Sequence, residues 1–168
     1  MPLNACLQSL EQVSAIFEAL AKLPNKNADQ LFIEQRIGKH IRHILDHFDA
    51  VLAGVKTGRI DYNLRQRESL AERDRNAAHI RLAVIRDNWP RTTQLRQPVK
   101  VISEVAFDHS YNEVFDSSLA RECLYLVNHT IHHVAYVKLL LAHAGIVLPA
   151  NIGIAPATAS FERRQCAH

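Results

Sequence analysis

No stretch of the 168 residues reaches the roughly 18 consecutive apolar positions of a membrane helix, so no membrane span is expected. Cysteine is scarce as well. Cys6, Cys123 and Cys166 are odd in number and far apart, which excludes the dense disulfide framework of a small secreted scaffold. Neither sign of charge prevails: Lys+Arg 20 against Asp+Glu 17 leaves a formal net charge of +3, which gives no argument for nucleic acid as a partner. Arg65, Arg67, Arg73 and Arg75 are interrupted by Glu68, Glu72 and Asp74, the pattern of a solvated helix face. No GxGxxG, Walker loop or GxSxG element occurs, and no Ser and His residues are ordered as a triad. The opening MPLNACLQSLEQV lacks the basic start of a secretory leader, and the chain reads as cytoplasmic.

What is present is helical periodicity. Apolar residues make up 48% of the chain, enough for the core of one domain over 1–168. Leu3, Leu7, Leu10, Val13, Ile16, Phe17 and Leu20 recur at steps of three and four, a first helix closed near Pro24. After the polar turn PNKNADQ, a second runs from about Leu31 to Val55 through Ile37, Ile41, Ile44, Phe48 and Leu52. Ser69 and Glu72 stand at the spacing of a capping box, and Leu70, Ala77, Ile80, Val84 and Ile85 carry a third helix to Trp89, where Pro90 stops it. The β-branched run PVKVISEVAFDHSYNEVF fits a small hairpin. The longest helical pattern spans about Ser118 to Ala144, with Gly145 as its cap. From about 146 the tail reads as an irregular arm. Four apolar stripes in so short a chain predict an all-α four-helix bundle, with the hairpin between its third and fourth helices.

Ten histidines are present, and their positions are more informative than their number. In NHTIHH, His129 and His133 are four apart, one helical turn, so both imidazoles can face one ion. His132 lies a little around the barrel. The second helix supplies KHIRHILDHF, and helical angles leave His40, His43 and His47 all open as the third ligand. Three neutral imidazoles suit Zn²⁺ or Ni²⁺, with Fe²⁺ also compatible, and leave a coordination position open. Thr130 follows His129, so the HExxH general base of a metallopeptidase is missing. Elsewhere, His79 is expected at the surface, and His109 satisfied by Asp108 and Tyr111. Cys123 is expected to be a small buried hydrophobe. Arg121 and Glu122 are expected in structural ion pairs with the second helix rather than orienting a ligand, and Asp46 either beside His43 or facing water.

IGKHIRHILDHFDAVL in the first half, SSLARECLYLVNHTIHHVAYVKLLLAHAG in the second and the closing GIAPAT together resemble the DinB-like superfamily of small metal-binding bundles, over about Gln30 through Arg164. The resemblance implies an up-down-down-up bundle, often a homodimer, with the metal held by His43, His129 and His133. His40, His47 and His132 are then alternative ligands or groups that support the three. It further implies a low-molecular-weight thiol presented as thiolate to an electrophilic substrate, as in bacillithiol transferases and mycothiol-dependent maleylpyruvate isomerases. The competing expectation is a noncatalytic dimeric stress or interaction protein with a structural or vestigial histidine cluster.

Overall fold

The first apolar stripe folds where its period places it. In the computed structural model, which describes residues 2–64, 66, 69–91 and 95–165, α1 (Pro2–Leu20) buries Leu3, Cys6, Leu10, Val13, Ile16, Phe17 and Leu20. The stretch expected as a turn is helical instead: α2 (Asn25–Glu34) begins directly after Pro24 and buries Ala28 and Phe32. A break follows at Arg36, whose φ of 57° is left-handed, and α3 (Ile37–Thr57) starts there. One expected helix is therefore two. A methyl group on Gly38 would collide with the Glu72 carbonyl oxygen and the Phe32 ring, so α3 can approach these two groups this closely only with glycine in that place.

The third predicted helix is also divided. α4 (Leu70–Arg73) ends at Asp74, whose carboxylate accepts hydrogen bonds from the backbone of Asn76 and Ala77 and so caps α5 (Arg75–Asn88). The Ser69–Glu72 capping box does not form, because Glu72 instead accepts from Arg42 at 3.1 Å. Its apolar face differs too. Ala78, Leu82, Ile85 and Trp89 are buried, whereas Leu70, Ile80 and Val84 lie in the open. Arg65, Arg67 and Glu68 lie outside the described residues, as does Cys166.

The hairpin forms as β2 (Pro98–Glu104) antiparallel to β3 (Asn112–Ser118). A strand too short for any sequence period, β1 (Arg59–Asp61), pairs parallel with β2 and completes a three-stranded sheet of order β1-β2-β3. The protein is thus mostly helical with a small sheet. α6 (Leu119–His143) is capped by the Ser118 hydroxyl and closed by Gly145 at φ 78°. The tail is irregular only as far as 155; α7 (Pro156–Gln165) follows and buries none of its side chains. Leu148 and Ile152 anchor the irregular part, and the Lys138 ammonium donates to the carbonyls of Pro149, Ala150 and Ile152.

α6 packs on α1 and α3, and α5 packs on the same two helices, so these four enclose a common core. Among the described residues no helix is long and apolar enough to cross a membrane. At roughly 100° per residue, α3 presents three faces. Ile37, Ile41, Ile44 and Phe48 form the buried one; His40, His43 and His47 form the second; Arg42, Asp46 and Asp49 form the third. On that third face Asp46, 4% exposed, accepts from Arg42 at 2.9 Å and from Arg81 of α5 at 2.8 Å. Removing this carboxylate leaves Arg42 buried without that counter-charge. Asp46→Ala is expected to lower unfolding stability by about 3–5 kcal/mol in urea titrations, as for other broken buried ion pairs.

Candidate metal centre

α3 and α6 lie side by side, and their histidine faces meet. His43, His129 and His133, all half-buried, each offer one ring nitrogen, and these nitrogens lie within 4.8 Å of one another. The three could hold one ion. Ring centroids are 4.9 Å apart for His43 and His129, 4.8 Å for His43 and His133, and 4.6 Å for His129 and His133. A tetrahedral ion would space its nitrogen donors roughly 3.3 Å apart. No carboxylate or thiol joins this group among the described residues, and the donor set is neutral.

The other sequence candidates divide clearly. His40 Nδ1 lies 2.9 Å from His133 Nδ1, so one ring donates to the other and the orientation of His133 is tied to α3. His47, 3% exposed, places Nδ1 2.9 Å from the His43 carbonyl. A carbonyl can only accept, so Nδ1 carries a proton and donates to it. Its ring centroid is 4.2 Å from that of His129. His132 is exposed. His79 is exposed and stacks on Phe17, while His109 meets Asp108 at 2.7 Å, both in keeping with their expected surface roles. Asp46 neither supports His43 nor faces water, because two arginines hold it on another face of α3. Cys123 is buried beside Cys6, whose thiol donates to the Cys123 carbonyl; the contact and burial push the Cys6 thiol up, and the same contact lowers Cys123.

Around the imidazoles lies an aromatic layer. Tyr62 stacks on His47 at 5.0 Å, Tyr125 on His129 at 5.3 Å, and His40 packs against Tyr136 at 4.8 Å. Tyr62 donates to the buried Glu122 at 2.6 Å; burial and that carboxylate push its phenol pKa up and keep it protonated. Glu122 also accepts from Ser117 at 2.5 Å and from Arg121 at 3.1 Å. Arg121 and Glu122 thus pair with each other rather than with the second predicted helix, and the pair is part of a larger network. On α6 the residues Glu122, Tyr125, His129, His133 and Tyr136 fall on one stripe, a spacing that sequence inspection can find. Tyr62 has no such signal. The pairing of β1 with β2 delivers it, the Tyr62 amide donating to the Ile102 carbonyl at 3.0 Å.

Burial pulls the His133 pKa down to about 4, helped by the neighbouring charges of His40, His47 and His132; His40 is also lowered, by burial and then by Lys39. His133 is therefore neutral, and able to ligate, well below neutral pH. In metal-free protein the sign follows directly: the unfolded chain takes up a proton near the ordinary 6.5 that folded His133 refuses. Stability is retained above about 6.5, falls as pH drops toward about 4, and levels off below it. Thermal melts of metal-free protein across this range are expected to show that slope, with a shallower one for His133→Gln.

No family model matches the chain, and no solved structure matches it. It is similar to a curated protein of Rhizopus delemar named FK506-binding protein 5, at 30% identity over 108 residues. The alignment takes in 63% of this chain but 28% of that relative, so the chain spans little more than a quarter of its length.

Proposed function

We propose that the protein is a divalent-metal-binding, DinB-like four-helix bundle that carries out thiol-dependent group transfer, with His43, His129 and His133 as ligands. The observation that carries this reading is the convergence of three half-buried imidazoles from α3 and α6 to within 4.8 Å. The pairwise packing of α1, α3, α5 and α6 supports the bundle, and the neutral nitrogen donor set favours Zn²⁺ or Ni²⁺, with Fe²⁺ compatible. When bound, such an ion supplies positive charge that lowers the pKa of a thiol or water in the open position. The chain's own part is to keep His133 neutral by burial, to fix that ring through His40, and to wall one side with Tyr62 and Tyr125. The FK506 binding in the relative's name is not carried over, since so small a part of that protein is shared.

Elemental analysis of untagged protein, purified without added metal or chelator, tests the ligand set. About one Zn, Ni or Fe per chain is expected, lost in His43→Ala, His129→Ala and His133→Ala. Equal binding of added Zn²⁺, Ni²⁺ and Fe²⁺ by wild type and the triple variant would sink the assignment. Turnover of a thiol with an electrophile should require both the metal and the three histidines. Metal binding without such turnover would point to the noncatalytic alternative.

His40 and His132 provide a contrast within the same measurement. His40→Asn is expected to keep the site but weaken metal affinity roughly 10–100-fold, as losses of orienting partners do, while His132→Ala leaves it unchanged.

A further inference from the structure

Next to the histidine cluster, on its sheet side, lies a cavity of about 360 Å³ between β2, β3 and the start of α6. This is the size of a small-ligand pocket. Tyr62 and Tyr125, which stack on His47 and His129, form the wall it shares with the cluster; Val101 and Phe115 form the facing wall. The walls are therefore flat and largely apolar. Phe115 is 44% exposed although it lines this hollow, the position of a side chain that a bound molecule would cover.

The polar groups are few, and their charges are unequally committed. Glu122, 1% exposed, accepts from Tyr62, Ser117 and Arg121. Asp116 at the rim is held by Lys100. Arg121 is the exception: its side chain is 63% exposed, NH1 alone goes to Glu122, and the guanidinium lies over the Tyr125 ring at 5.6 Å from its centroid. Its remaining donors make no hydrogen bond among the described residues. A planar cation held over an aromatic wall with an open edge is suited to receive a carboxylate.

We infer that this cavity is a ligand site for a small molecule with a flat apolar body and one carboxylate, the body between the tyrosines and Phe115 and the carboxylate on Arg121. Its assignment as the seat of the electrophilic substrate rests on the proposed metal-dependent reading. The class of ligand does not, because every contact is made by groups outside the three histidines.

The test is a titration of 2-naphthoate and of its uncharged analogue, 2-naphthamide, into uniformly ¹⁵N-labelled, metal-free protein, followed by amide shifts. Saturable shifts for naphthoate are expected on β2, β3 and the first turn of α6. Arg121→Gln keeps a donor toward Glu122 and should weaken naphthoate about tenfold or more while leaving naphthamide unchanged. Ser103→Phe, on the β2 side of the cavity, should exclude both ligands without altering charge. The spectra themselves report whether each variant is folded, and the two substitutions act on different elements. Shifts elsewhere on the protein, or equal binding of the two ligands with no effect of Arg121→Gln, would overturn the proposal. Because no metal is present, naphthoate binding supports the cavity whatever elemental analysis returns, and a failed cavity leaves the metal result standing.

Discussion

Asp46 is a carboxylate almost cut off from water, and two guanidinium groups from two helices close on it. A buried charge of this kind is tolerable only in the orientation that keeps both partners, so it resists any rotation of α3 about its own axis. With the ionic face directed at α5 and the isoleucine face in the core, the histidine face is left to meet α6. The convergence of His43 with His129 and His133 depends on that rotation.

Once α3 is oriented, the second helix contributes an unusually well-sorted surface. Glu122, Tyr125, His129, His133 and Tyr136 lie along one stripe of α6, so acid, aromatic and imidazole groups are layered rather than mixed. The layering separates their chemistry. Burial holds His133 uncharged, whereas Glu122 has three donors around it within a few ångströms of the same helix. Among the described residues no carboxylate joins the imidazoles, so their affinity for a cation comes from nitrogen lone pairs.

Much of this was legible in the sequence because it depends on local spacing. The i,i+4 pair His129 and His133, the apolar pattern of α6 and its closing Gly145 are fixed by helical period and read directly, whereas the roles of Tyr125 and Tyr136 were not read. The break at Arg36 was not, since an ordinary residue in a left-handed conformation leaves no compositional sign, and Ile37 continues the apolar period across it. Asp74 defeated the reading of α4 and α5 as one helix for a different reason. Aspartate inside a charged run looks like a solvated face, and only its two backbone partners show it to be a cap. Tyr62 and β1 were hidden more deeply, because a three-residue parallel strand is specified by its neighbour rather than by its own sequence.

The separation of the two histidine-bearing helices along the chain has a bearing on how the molecule comes into being. His43 lies in the first third and His133 in the last third, joined by a connection that includes two helices and the whole sheet. Bringing them together requires closing a long loop, so this contact belongs to the slow, non-local part of folding. A chain emerging from the ribosome has α3 long before α6, and has no complete set of imidazoles until His133 is made. Any cation that prefers the assembled triad therefore selects the finished fold by mass action and contributes nothing to the early chain.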